Sequence, residues 1–278
     1  MAFEAPYLFG PAGTSAEASI TAIADAVTGT VEVAVAGCWS GRLRGDTYYA
    51  LRTCLAEHPV ALLVDLTALD DPWAGSAPVW LSARSFAASM APPVTMALCL
   101  PATAPLTGRL HGTGTMRAVP VFAGPQQARA ALAERRTLHN CVHLVLPARL
   151  QAGPLVRETV AQACRDWGFP GLIAVCRLVA SELVVNAVEH AGDAPVEVVV
   201  SRRDYGIHVA VVDESPELPR LYPDPPRGAA SVHDRGLGLR IVHTAALAWG
   251  ALPSHRGKMV WALLSTRPTR RVSTLGLG

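Results

Sequence analysis

The sequence predicts an α/β protein of two domains, and two observations carry that prediction. Apolar runs of four to eight residues alternate with longer stretches at helical spacing, which is how the strands and helices of a layered α/β domain read. The alternation also divides near residue 140 into two blocks of ordinary domain size, in a chain of 278 residues. Half of those residues are hydrophobic and 17% are charged, so each block has material for a buried core.

The first block opens with a strand over 30–36, broken by Gly37, and a helix over 44–57. A continuous apolar strand (60–66), a helix (76–90), a strand (94–100) and a short helix around Leu106 follow. A strand (118–122) and a helix (125–136) close the block; Pro125 suits a first helical turn, where its missing N–H costs nothing. The second block begins with a strand (142–146), a helix (155–167) that Gly168 can end, and a longer helix (172–190). Strands fit 196–201 and 207–212. From Glu214 to Asp234 the chain is rich in Pro and lacks apolar periodicity, so it reads as a long loop, a candidate lid. A helix (239–249) and a strand (258–264) complete the block, and the tail after Thr266 is polar and basic. The expected organisation is an extension over 1–28, domains over 29–138 and 139–266, and a tail over 267–278.

Composition narrows the function. A net charge of +2 is too small to suggest direct binding of nucleic acid. No apolar run approaches the ~20 residues that span a bilayer, and residues 1–13 lack the pattern of a secretory signal, so no membrane role is expected. The six cysteines are scattered without a CxxC pair, which argues against a disulfide framework or a zinc site. Cytoplasmic localisation is the expectation. Lys258 is the only lysine in the chain, a bias that reads as codon usage rather than function.

Three segments of the second block carry chemistry. In Ser181 to His190, Leu178, Val179, Leu183 and Val188 can line a core stripe, while Glu182 and Asn186 stand one turn apart on one face. A carboxylate and a carboxamide so placed can serve a hydrated Mg²⁺, which takes oxygen ligands and keeps several waters. A solvated polar face reads from the same residues. Asp213 directly follows an apolar strand, where it can accept a hydrogen bond from an exocyclic amine or simply end the strand in a turn. Gly236-Leu237-Gly238 opens a helix and frees backbone N–H groups for a phosphate, with a favourable helix dipole. It matches neither the P-loop nor the Rossmann glycine pattern.

The order of these segments resembles the GHKL ATPase superfamily, specifically its bacterial anti-sigma-factor serine-kinase branch. Glu182 to His190 is similar to the N box. Asp213-Glu214-Ser215-Pro216 is similar to the first glycine box in its Ser-Pro form. Gly236 to Leu239 with Trp249-Gly250 resembles the second box and its following helix, and Gly257 to Trp261 the closing strand. The likeness spans roughly residues 140–266 and implies a Bergerat-type α/β sandwich. It further implies that ATP and Mg²⁺ are the cofactors. Asn186 would hold Mg²⁺, Asp213 would read adenine, and Gly236, Leu237 and Gly238 would meet the phosphates. Glu182 would act as the base on the attacking hydroxyl. Met259 stands where many members have Thr, and it has no hydroxyl to offer. His190 reads as a helix-end residue.

The strand–helix alternation of residues 29–137 resembles a STAS domain, anchored on Val60 to Thr67 as the central strand ending in Asp-Leu. Partner antagonists carry a phosphorylated serine at the next helix start. Counting from Asp65 places that turn on Trp73-Ala74-Gly75-Ser76, and registering it on Asp71 gives Pro72-Trp73-Ala74; neither puts Ser or Thr at the acceptor position. The two resemblances together imply an ATP-binding regulator that phosphorylates a serine of a separate STAS-domain antagonist and/or sequesters a sigma factor. Family members commonly pair, so a homodimer is part of the expectation. The alternative is a non-catalytic nucleotide-sensing or partner-binding module of the same fold.

Overall fold

The computed structural model describes residues 6–9, 18–112, 119–134, 140–147, 152–190, 192–221 and 237–266. Two compact units divide the chain: Phe9–Leu138, and Met1–Leu8 together with His139–Gly278. Strand β1 (Tyr7–Leu8) therefore belongs to the C-terminal unit.

In the N-terminal unit, β2 (Ala18–Asp25) and β3 (Thr30–Cys38) form an antiparallel hairpin. Strands β4 (Ala61–Asp65), β6 (Thr95–Cys99) and β7 (Val121–Phe122) continue from β3 in parallel, giving the order β2-β3-β4-β6-β7. The short β5 (Leu69–Asp70) pairs with the end of β3. Parallel neighbours need crossover connections, and α1 (Gly41–Ala56), α2 (Ala77–Ser89) and α3 (Pro105–Gly112) supply them, with α4 (Pro125–Glu134) last. Helix α4 rests Ala128 and Leu132 on Ala61, Leu63, Ala97 and Cys99. Leu62, Leu63 and Val64 are all buried, which explains why β4 reads as an unbroken apolar run rather than an alternating one.

The C-terminal unit contains β8 (Cys141–Leu146), β9 (Val196–Arg203), β10 (Gly206–Asp213), β11 (Ala248–Pro253) and β12 (Lys258–Ser265). With β1 they form a six-stranded sheet in the order β1-β11-β12-β10-β9-β8, antiparallel except for the β1–β11 pair. Helices α5 (Ala152–Asp166), α6 (Ile173–His190) and α7 (Leu237–Ala245) share one core with the sheet. Val160, Cys176, Leu183 and Ala187 from α5 and α6 meet Val198, Val200, Val209, Val211, Val260 and Ala262.

Several expectations need correction. Residues 18–25 form a full strand with Ile20, Ala22 and Ala24 buried, and Tyr7–Leu8 pair with β11, so 1–28 is not simply an extension. Small alanines at alternate positions give too weak a period-2 signal to announce that strand. The helix expected over 239–249 ends at Ala245, and Trp249 lies in β11, where its indole Nε1 donates to His243 Nδ1 at 3.1 Å. Leu178 is 45% exposed and does not join the core stripe, whose places go to Cys176 and Ala180. Pro170–His190, with mean hydropathy 1.8, is long and apolar enough to cross a bilayer by composition alone. In this fold it packs against α5, α7 and the sheet, as a core helix does. Gly236, most of the proline-rich loop (222–236) and the tail (267–278) lie outside the described residues.

Candidate nucleotide site

Side chains alternate along a strand, and in β10 Ile207, Val209 and Val211 face the helices. Asp213, two residues on, shares that face at the strand's end. In β12, Leu264, Ala262 and Val260 face the same way, and Lys258 follows two residues before Val260. The strands pair with Asp213 opposite Lys258. Lys258 Nζ donates to Asp213 Oδ1 at 2.8 Å, with the two side chains 1% and 0% exposed. Oδ1 also accepts the Ser215 N–H at 2.8 Å, and Nζ lies 3.4 Å from the Ser215 carbonyl oxygen. Oδ2 is buried and has no hydrogen-bond partner.

Burial pushes the Asp213 carboxyl above its ordinary value, while the Lys258 bond and charge, the Ser215 N–H and the nearby His190 pull in the opposite direction. Gly257 allows the strands to close here, because a Cβ on it would overlap the backbone of Asp213 and Glu214. Arg256 pins the chain beyond Asp213: Nη1 donates to Glu197 Oε1 at 2.6 Å and Nη2 to Glu214 Oε1 at 2.9 Å. Met259 is the register partner of Val212 and lies on the opposite face of the sheet from Asp213. Its lack of a hydroxyl is therefore not a feature of the Asp213 side.

Helix α6 carries Glu182 and Asn186 beside its buried stripe of Val179, Leu183 and Ala187. Neither is a freely solvated side chain. Asn186 Nδ2 is buried and lacks a partner. Glu182 is half-buried, and burial first, then the charge of Glu189, holds its carboxyl above the ordinary range. Gly238, the second residue of α7, lies against Glu182, and a Cβ there would overlap the carboxylate oxygen Oε2. The first turn of α7 carries no acidic residue, and the helix dipole there favours an incoming anion. Leu237, at the start of α7, is 55% exposed.

The fold thus brings Glu182 to Gly238 and Asp213 to Lys258, and it leaves single unpaired polar atoms on Asp213 and Asn186. Among the described residues no group of three or more His, Cys, Asp or Glu could hold a metal. A Mg²⁺ that keeps most of its waters needs only one or two protein oxygens, which the side chains of Asn186 and Glu182 can offer. Lys258 is the residue the sequence reading passed over. Its signal was present as the one lysine in a chain whose other basic residues are arginines.

Residues 146–262 match the family model of the histidine kinase-like ATPase domain. The match runs from the last residue of β8 into β12 and contains Glu182, Asn186, Asp213, Gly238 and Lys258. No curated protein sequence matches the chain. Over its N-terminal part the chain is similar to a solved anti-sigma factor antagonist from Mycobacterium paratuberculosis, at 18% identity and a TM-score of 0.36, covering 47% of this chain and 99% of that one. The matched residues include every described residue of the candidate site.

Proposed function

We propose that the ATPase-like unit binds Mg-ATP on the helix-facing side of its sheet and serves a cytoplasmic regulator of the anti-sigma-factor type. The observation that carries this reading is Asp213: a buried carboxylate with one oxygen fixed by Lys258 and Ser215 and the other left without a partner. An unpaired buried acceptor is costly unless a ligand donor completes it, and the exocyclic amine of adenine is such a donor. Asn186 would hold the Mg²⁺, which supplies charge neutralisation for the phosphates. Gly238 and the start of α7, with the adjoining Gly236 and Leu237, would receive the phosphates themselves.

Glu182 suits a base. Its raised proton affinity lets it orient a hydroxyl and take its proton, and its contact with Gly238 sets it beside the phosphate end of the pocket. The accepting serine belongs to a separate STAS-domain antagonist. In this chain Ser76 is fully buried, and its Oγ accepts the Trp80 indole N–H at 2.9 Å, so it is not presented for transfer. Ala74, buried in the turn before α2, has no hydroxyl. The six-stranded, helix-linked N-terminal unit fits a STAS-like module that docks without being a substrate.

Incubation of the full chain with γ-radiolabelled ATP and co-purified partner proteins tests this reading. Label on a serine of a STAS partner, lost in Glu182→Ala, is the expected result. Partner capture and nucleotide binding without label would favour the non-catalytic sensing module, which the buried Ser76 accommodates equally well.

A further inference from the structure

The Asp213–Lys258 pair has a consequence for which base the pocket accepts, and it rests on the nucleotide reading above. A buried carboxylate next to a purine can be ionised, offering acceptors only, or protonated, offering one donor and one acceptor. The two states read different bases. An acceptor-only oxygen matches a 6-amino purine and opposes the 6-keto oxygen of inosine or guanosine. A neutral carboxyl can turn either atom to the base and accommodates both.

Lys258 decides between these states. Its ammonium is fully buried and 2.8 Å from Oδ1, and among the described residues it reaches no other carboxylate. It is held in place by register, since it stands directly opposite Asp213 in the β10–β12 ladder. It occupies Oδ1 together with the Ser215 N–H, so Oδ2 is the one oxygen left for a ligand, and Oδ2 is the partnerless atom.

We propose that Lys258 is a positioning residue for base selectivity, holding Asp213 ionised with Oδ2 as a lone acceptor and so restricting the site to 6-amino purine nucleotides. It acts through Asp213 and need not touch the base.

The test measures the affinities of ATP and ITP for the full chain, by calorimetry in the presence of Mg²⁺, for wild type, Lys258→Met and Asp213→Asn/Lys258→Met. Wild type is expected to prefer ATP on the order of 10- to 100-fold, the penalty for leaving a buried acceptor facing another acceptor. In Lys258→Met the preference collapses to within about 3-fold, because a neutral carboxyl accommodates either base. The double variant, which buries no charge and so keeps the fold if the single variant does not, offers a carboxamide that can also turn either way, and it shows the same collapse. The ratio of affinities is the readout, since general damage to the fold would weaken both nucleotides alike. A folded variant that keeps the wild-type ratio overturns the proposal, as does a wild type that binds ATP and ITP equally. Failure of wild type to bind either nucleotide overturns the nucleotide reading itself, and this proposal with it.

Discussion

Replacing Lys258 by Met leaves Asp213 as a fully buried carboxylate whose one counter-ion has gone. Breaking a buried ion pair from one side costs about 3–5 kcal/mol. Protonation limits the loss: moving a carboxyl from an ordinary pKa of about 3.9 to neutrality at pH 7 costs about 1.4 kcal/mol per unit, or about 4 kcal/mol. The two routes agree, and the expected loss at pH 7 is about 4 kcal/mol. The sign of its pH dependence follows. A folded state that holds a proton the unfolded state has released is favoured by acid, so the variant loses stability as pH rises above the unfolded value of about 3.9, until the folded carboxyl itself ionises. Asp213 in the wild type is already shifted in that direction by burial, and Lys258 offsets only part of that shift. Urea unfolding without nucleotide, followed by tryptophan fluorescence at pH 5.5, 7 and 8, measures this, since Trp249 and Trp261 are buried in the same unit. The variant should lie about 2 kcal/mol below wild type at pH 5.5 and fall furthest below it at pH 8. Asp213→Asn/Lys258→Met should recover most of the loss at every pH. A single variant within about 1 kcal/mol of wild type at pH 8, or a double variant no more stable than the single, would refute the buried-pair reasoning.

Four further outcomes follow from the same geometry. Gly238→Ala drives a Cβ into the Glu182 carboxylate, so ATP turnover should fall on the order of 100-fold while ATP affinity changes much less; equal losses in both would point to the phosphate cradle instead. Because burial and Glu189 raise the Glu182 carboxyl, the base is lost to protonation at higher pH than for a solvated Glu, so the acid limb of the turnover profile should lie above about 4.3 and move with Glu189→Gln. Asp71 accepts the N–H groups of Gly75 at 2.8 Å and Ser76 at 2.9 Å, and Asp71→Ala should lower the stability of the N-terminal unit by about 1–2 kcal/mol in thermal or urea unfolding. Ser76→Ala should cost about 1–3 kcal/mol by stranding the Trp80 indole N–H, and mass spectrometry of wild type after Mg-ATP incubation should find no phosphate on Ser76.

Long elements with a clear period were legible in the sequence. The apolar run of β4, the 18-residue α6 and the paired β9 and β10 fall close to where apolar spacing puts them. What escaped was signalled weakly or by remote partners. β2 buries alanines, whose small side chains blur a period of two. β11 contains Gly250 and ends on Pro253, so it reads more readily as the tail of a helix. β1 has only two residues and is defined by the strand it joins.

The site divides the same way. Glu182 and Asn186 lie on one continuous helix, so their shared face was readable from spacing. Lys258 is 45 residues from Asp213, and only the β10–β12 register makes them partners. Sequence spacing cannot show a cross-strand pair until the strands are paired, and a lone lysine carried no meaning before that. Met259 shows the converse. It adjoins Lys258 in sequence, yet the pleat sends it to the other side of the sheet.

The central claim is that Asp213 and Asn186 mark a nucleotide site in the C-terminal unit. Calorimetric titration of the full chain with ATP, with and without Mg²⁺, tests it most directly when wild type is compared with Asp213→Ala and Asn186→Ala. Wild type should bind one ATP per chain, Asp213→Ala should lose affinity by about 10-fold or more with or without Mg²⁺, and Asn186→Ala should lose mainly the Mg²⁺-dependent part. Wild-type affinity retained in both folded variants, or no heat of binding in wild type, would contradict it.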